Sequence, residues 1–345
     1  MSTASLLLLL PLVLLPMTDD AASPTEPAAD LPQLGAATDL PPLPEATTSF
    51  GACTLGDDPG RAAIYVYGGN TGEAHGYDNT GQAATLRRLD LAAASPQWES
   101  LAEGEHLQGN ALVAAGGRVV LLGGFKALND PGDEERLQSL ASVRTFDPAE
   151  PSRGLVADLP DLPEPRSSFD AVSDGQTIYV VGGWALHDGK ETDWHTTAWK
   201  LDTAAADPAW QPLPTPPFQR RALVLALVGQ RLFVIGGMDH ESGPSSRVDV
   251  LDLNENAWSQ VESLPGPPMA GFGAGALVAD GRLFVTTMPG TVLRLDDRSW
   301  TPVGQIERGR FFHRVVAGGD GALLLGGTSM QHGKFVDLER LTLPR

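Results

Sequence analysis

Short apolar runs, each closed by two glycines, recur along this chain. Ile64-Tyr65-Val66-Tyr67 precedes Gly68-Gly69, Val119-Val120-Leu121-Leu122 precedes Gly123-Gly124, and Ile178-Tyr179-Val180-Val181 precedes Gly182-Gly183. Leu232-Phe233-Val234-Ile235 precedes Gly236-Gly237, and Leu323-Leu324-Leu325 precedes Gly326-Gly327. Runs of this length match buried strands and are too short for helices. The pairs recur roughly every 50 to 60 residues, the period of a four-stranded propeller blade. Behind each pair comes a variable stretch, then a hydrophobic-Asp step: Leu89-Asp90, Phe146-Asp147, Leu201-Asp202, Leu251-Asp252 and Leu295-Asp296. A tryptophan usually follows, at Trp98, Trp210, Trp258 and Trp300. Leu-Pro steps such as Leu213-Pro214 and Leu264-Pro265 close the units.

This order predicts one antiparallel sheet per unit. The first strand runs to a Gly- or Asp-rich turn, such as Ser173-Asp174-Gly175 or Ala279-Asp280-Gly281. The second ends at the glycine pair, the third at the hydrophobic-Asp step, and the fourth carries the tryptophan. Glycine suits positions where strands crowd near a central axis and a side chain would clash. Tryptophan suits the widening gap between neighbouring sheets. Six units are expected, with first strands near Phe50, Ala111, Phe169, Leu223, Gly273 and Val315. Leu40-Pro41-Pro42-Leu43-Pro44 looks like the end of a fourth strand with no blade before it. The N-terminus is therefore expected to complete the last blade and remove an open sheet edge. Leu341-Thr342-Leu343 is the alternative source of that strand.

The recurrence of turn, double glycine, hydrophobic-Asp step and tryptophan resembles the kelch repeat family over residues 40–345. Unit two lacks the tryptophan, unit five has Thr286-Thr287 in place of the glycines, and unit six again lacks the tryptophan. The resemblance implies an all-β, six-bladed kelch-type β-propeller of four-stranded antiparallel blades. It also implies that loops after the second strands and between blades carry ligand contacts.

Composition changes this picture little, but it narrows the partners. The chain has 345 residues, 39 Gly, 28 Pro and a formal net charge of -19. So acidic a chain is a poor match for nucleic acid or for an anionic membrane surface. The one cysteine, Cys53, allows no internal disulfide and reads as a small core residue. Residues 6–15 are apolar apart from the break at Pro11. They read as the core of a signal peptide or N-terminal anchor over 1–17, followed by a Pro/Ala-rich disordered linker over 18–39. Export to a periplasmic, cell-surface or extracellular site is expected, with a membrane tether as the alternative.

Loops on a rigid scaffold are where function usually lies. Arg166, Arg220 and Arg310 share one repeat position, counted back from their glycine pairs or the equivalent step. They are expected to ring one opening of a central channel and to attract carboxylate, phosphate or an acidic peptide. The alternative is that they bond backbone carbonyls or acidic neighbours. His106, Asn110 and His313 fall in the same class of loop, and Trp184 lies directly behind its pair. Asp193-Trp194-His195, Asp239-His240-Glu241 and the acidic run 130–135 lack any recognised metal spacing. No metal and no cofactor is expected. The four tyrosines lack a Tyr-His step, which argues against copper oxidation of the galactose oxidase type. The chain also resembles sialic acid mutarotase-type kelch proteins, more weakly. For that chemistry Glu241 and Arg247 are the candidate acid-base and carboxylate-binding groups. The resulting expectation is a monomeric binding protein that recognises a protein segment or glycan at the loop face. A mutarotase or epimerase acting on an acidic sugar is the alternative.

Overall fold

The computed structural model describes residues 31–56, 62–74, 76–319 and 321–344. The expected signal segment and most of the expected linker lie outside these residues. Among the described residues the main sheets are antiparallel, and helix is confined to two short 3₁₀ turns, Pro151–Arg153 and Pro268–Gly271.

Six principal sheets follow one another along the chain. The first is Gly51–Leu55, Ala63–Tyr67, Thr85–Asp90 and Trp98–Glu103. The second is Ala111–Ala115, Arg118–Leu122 and Val143–Phe146, with the Thr145–Val156 bridge where a fourth strand would lie. The third is Asp170–Ser173, Thr177–Val181, Ala198–Asp202 and Gln211–Pro212. The fourth is Val224–Val228, Arg231–Ile235, Val248–Asp252 and Ala257–Gln260. The fifth is Gly275–Ala279, Arg282–Thr286, Thr291–Asp296 and Ser299–Gln305. The sixth is Arg314–Ala317, Ala322–Leu325 and Leu338–Leu341, completed by Gly35–Ala37. First strands touch in sequence, one to two and onward to six, and six touches one. The sheets therefore form a closed propeller.

The N-terminus does close the last blade, because Gly35 pairs with Leu341 and Ala37 with Glu339. Leu341 belongs to the third strand, which removes the alternative closure. The closing strand falls before Leu40, so the fold takes in residues that were expected to belong to the linker. The reason for the Leu40-Pro41 signal is a different one. The Trp98 indole donates to the Pro41 carbonyl at 3.2 Å, joining the closing segment to the first sheet. Trp210, Trp258 and Trp300 donate in the same way to Pro160, Pro214 and Glu262 of the preceding unit. Six apolar clusters fill the six gaps between neighbouring sheets. Each fully buried Leu, Ile, Val or Phe in them contributes about 1.5–3 kcal/mol.

The inner ends of the blades meet at a ring that the sequence did not announce. Ser49, Gly109, Ser168, Ala222, Gly273 and Phe312, each two residues ahead of its first strand, all have left-handed backbone with φ between 51° and 64°. Their amides run around the ring: Gly109 to Ser49 O (2.7 Å), Ser168 to Gly109 O (2.8 Å), Ala222 to Ser168 O (2.7 Å), Gly273 to Ala222 O (3.3 Å) and Phe312 to Gly273 O (2.8 Å). Just outside the ring, the second glycine of a pair donates to the unit that follows. Gly69 reaches Leu107 O, Gly124 reaches Arg166 O, Gly183 reaches Arg220 O and Gly237 reaches Gly271 O. At Gly182 a Cβ would stand 2.8 Å from Arg220 O and press on Leu223 Cδ2, both of the following unit, and at Gly183 one would stand 2.6 Å from Ser167 O of its own. The glycine pairs are thus demanded by contact with the next blade and with their own.

Gly273→Ala should lower the unfolding free energy by about 1–2 kcal/mol from the left-handed backbone alone. Its Cβ would also press on the Phe312 amide at 2.8 Å. Thermal denaturation should show a Tm lower by a few degrees; an unchanged Tm would mean that the ring is not under conformational constraint.

Candidate functional site

The ring surrounds the mouth of a central channel of about 310 Å³, lined by the first strands. Cys53 sits in its wall, and burial pushes the thiol far up, so it is not a reactive thiolate. Arg314, from the sixth sheet, reaches Asp170 of the third at 2.9 Å and also donates to the Phe50 carbonyl at 2.8 Å. This pair spans the channel between opposite blades. Asp170 in turn accepts the Leu225 amide at 2.9 Å.

Counting outward from the ring gives each nearby position a fixed role. Two residues before it stand Arg166, Arg220 and Arg310, each with no solvent exposure. The expectation that they ring the opening is corrected: they point into the blades. Each donates to the carbonyl of the first glycine of its own blade's pair: Arg166 to Gly182 (2.5 Å), Arg220 to Gly236 (2.8 Å) and Arg310 to Gly326 (3.1 Å). Each also has an acidic partner: Glu164 at 3.0 Å for Arg166, Asp249 for Arg220, and Asp337 and Glu339 for Arg310. Their charge is spent on internal carbonyls and carboxylates.

One residue before the ring stand Thr48, Gln108, Ser167, Arg221, Phe272 and Phe311. Five of these pair with the residue directly behind the blade's glycine pair: Thr48 with Asn70, Gln108 with Phe125, Ser167 with Trp184, Arg221 with Met238 and Phe311 with Thr328. Thr48, Gln108 and Ser167 are buried by these loops, whereas Arg221, Phe272 and Phe311 keep some solvent exposure. Successive residues of an extended ribbon face opposite ways. The Arg220–Arg221 ribbon therefore sends one guanidinium into the blade and the other to the loop face.

Arg221 is the centre of an aromatic cluster there. Its guanidinium lies 4.0 Å from the Trp184 ring centroid and 5.7 Å from that of Trp194. Trp184 and Trp194 pack edge to face at 5.3 Å, and the exposed His240 ring lies 5.0 Å from Trp194. Met238 Sδ accepts from Arg221 at 3.2 Å. Among the described residues no carboxylate reaches Arg221 within ion-pair distance. Burial pulls its pKa down to about 10, and the Tyr77 phenol is the one ionisable neighbour that opposes this. The Arg221 Nε and the Trp184 indole N–H are both buried without an acceptor. A buried donor left unpaired costs about 1–3 kcal/mol.

The other predicted site residues are dispersed. His106 is exposed and contacts the Gln82 carbonyl at 2.5 Å. Asn110 is fully buried and donates to Tyr67 O. Glu241 is solvent-exposed, and Arg247 is held by Asp249 at 2.6 Å, so these two form no acid-base pair. The run 130–135 is exposed, with Asp130 accepting from Asn79. Of the candidate residues, Trp184 alone joins the Arg221 cluster. Two histidines lie inside the fold. His313 Nε2 meets Thr286 Oγ1 at 2.6 Å, and His195 contacts Pro165 O at 2.9 Å. Burial, aided by Arg310 and Arg314, pulls His313 down to about 3. Burial, aided by Arg166, pulls His195 down to about 4. Both rings are neutral at neutral pH.

Comparison with known proteins agrees with this architecture. Residues 109–327, well over half of the chain, match the model for the KLHDC2/KLHL20/DRC7 Kelch-repeats domain. Kelch-like protein 35 of Mus musculus is 26% identical over 252 residues, which is 72% of this chain and 36% of that protein. Kelch domain-containing protein 10 of Homo sapiens is 25% identical over 246 residues, 63% of this chain and 53% of that protein. The chain thus spans about a third to a half of the length of these relatives. A solved structure titled "Structure of YjhT" superposes with a TM-score of 0.68 at 15% identity, covering 88% of this chain and 97% of that one.

Arg220→Ala leaves Asp249 buried and one guanidinium short, and should cost roughly 3–5 kcal/mol of stability. Arg221→Ala breaks no ion pair and should cost far less. Urea denaturation of the two variants separates them; equal losses would mean that the neighbouring arginines have the same role. Unfolded histidine titrates near 6.5, above both folded values. Between those limits the unfolded chain binds protons that the folded one refuses, so stability is full near pH 7 and falls as the pH drops from about 6.5 towards 4. Each histidine contributes a slope of up to about 1.4 kcal/mol per pH unit. His313→Gln should flatten the measured profile by one proton, and an unaltered slope would contradict a neutral, buried His313.

Proposed function

Because the chain belongs to the kelch-repeat family matched by the KLHDC2/KLHL20/DRC7 model, we propose that it is a binding protein whose loop face captures an acidic group of a protein segment at Arg221. The observation that carries this reading is the charge state of Arg221. In a chain of net charge -19, the three arginines one position away are all matched to carboxylates, and Arg221 is matched to none among the described residues. A guanidinium flattened on tryptophan keeps its planar fork for a carboxylate while the rings exclude water. Interface energetics concentrate in Trp and Arg anchors of this kind.

The alternative is a mutarotase or epimerase acting on an acidic sugar such as a sialic acid. His240 favours it, since this exposed imidazole beside Trp194 could move a proton next to a stacked sugar ring. Export remains a proposal that rests on residues 6–15, and a monomeric state is likewise proposed.

The test is a calorimetric screen of the chain against Asp- and Glu-rich peptides and against N-acetylneuraminic and glucuronic acids. Saturable peptide binding is expected, weakened at least about 30-fold by Arg221→Ala, the loss of roughly 2 kcal/mol typical of a hot spot. Peptide binding that ignores Arg221→Ala would sink the proposal. A sugar hit accompanied by anomer exchange in NMR spectra would move the enzyme reading to the front.

A further inference from the structure

The fifth blade breaks the pattern of the loop face. Its second and third strands are joined by a tight turn at residues 287–290, held by Thr287 N to Thr291 O at 3.0 Å and Gly290 N to Thr287 O at 2.9 Å. The second, third, fourth and sixth blades carry short ribbons above the ring: Phe125–Ala127 with Leu137–Ser139, Trp184–Ala185 with Asp193–Trp194, Met238–Asp239 with Gly243–Pro244, and Thr328–Ser329 with Gly333–Lys334. The first blade covers its sector through the Asn70–Gln82 bridge. Over the fifth blade no ribbon forms, and Phe272 lacks the cross-pairing that its five counterparts make.

What lies under this opening is apolar. Phe272, Phe311 and Phe312 are all partly buried, keep some solvent exposure and touch one another, with centroids 5.0 to 5.9 Å apart. Met269 at the edge is 42% exposed. Phe312 is itself a ring residue, held in left-handed backbone at φ 54° by the Gly273 carbonyl. Phe272 and Arg221 occupy the same position in adjacent blades, joined through the Gly273-to-Ala222 hydrogen bond. The cation of one sector and the aromatic floor of the next are therefore neighbours on one rim.

We propose that the uncovered fifth-blade sector is a second subsite, which takes a bulky aliphatic or aromatic side chain of the same extended peptide whose carboxylate meets Arg221. The inference rests on the Arg221 reading and adds to it. The partner is then a peptide segment with one acidic and one large apolar residue at a fixed separation. The occupant follows from the pair of neighbours: Arg221, unmatched by a carboxylate, is complementary to one acidic group, and the adjoining Phe272, Phe311 and Phe312 rings are complementary to an apolar side chain.

The experiment is selection of a displayed random-peptide library on the full chain. Enriched sequences should share an Asp or Glu and, at constant spacing, a Phe, Trp, Leu, Ile or Met. In a selected peptide, replacing the apolar residue with Ala should weaken binding at least about tenfold. Against Phe272→Ala, whose fold is checked by its Tm, the original and the Ala-replaced peptides should bind nearly alike. An acidic consensus with no apolar position would overturn the second subsite and leave the Arg221 reading standing. An apolar consensus with no acid would overturn the Arg221 reading and, with it, the paired ligand. No enrichment would overturn both.

Discussion

Six left-handed residues, bonded amide to carbonyl around the channel mouth, hold the blades in register. Four of them, Ser49, Ser168, Ala222 and Phe312, are not glycine and keep a conformation that costs about 1 kcal/mol or more apiece. Ser168, Ala222 and Phe312 give their amides to the carbonyl of the neighbouring blade, and Ser49 offers its carbonyl to Gly109. Once the ring is fixed, the residues around it have little freedom. The position before it faces the loops, the position two before it faces into the blade, and the glycine pair of the preceding blade must pass against it without a Cβ. The buried arginines follow from the same geometry. A glycine pair that bends away from the ladder leaves its first carbonyl unpaired, and Arg166, Arg220 and Arg310 supply the donor.

Burying three guanidiniums is costly unless each is paired. Asp249 and Glu339 hold the same third-strand position, opposite Val234 and Leu324, while Glu164 comes from the loop before the ring and Asp337 adds a second carboxylate in the last blade. Two blades meet the demand with the same third-strand acid position and the third blade meets it from a loop. Arg221 stands outside this economy. Its neighbours are ring faces and a thioether, which lower water access without cancelling charge. The contrast between Arg220 and Arg221 is the contrast between structural and available charge, one residue apart.

Most of the fold was legible in the sequence. The apolar runs, glycine pairs and hydrophobic-Asp steps mark strands by period and turn chemistry, which are local. The tryptophans mark inter-sheet gaps because a large ring with one donor needs a wide apolar space and one carbonyl. The closing strand at residues 35–37 was harder to see, since Gly-Ala-Ala carries no strand signal and its pairing partner lies some 300 residues away. The site was legible only in part. Arg166, Arg220 and Arg310 share a repeat position, and a residue shared by three blades records a structural need of those blades, where the first two hold Thr47 and Leu107. The recognition of a particular partner breaks the repeat. The usable signal was the second residue of Gln219-Arg220-Arg221, which has Thr48, Gln108, Ser167, Phe272 and Phe311 as its counterparts and matches none of them.

The fifth blade shows the same logic from the other side. By strand register Thr287-Met288 stand where the glycine pair would be, and Gly271, two residues before the ring, stands in place of the arginine. Thr286 Oγ1 meets the neutral His313 ring at 2.6 Å. With no bend there is no ribbon, and with no ribbon the three phenylalanines stay uncovered. A local loss of repeat chemistry thus opens the loop face beside Arg221. The features that make this blade a poor copy of the repeat also make the face asymmetric, and a six-fold scaffold needs such asymmetry to hold one ligand in one orientation.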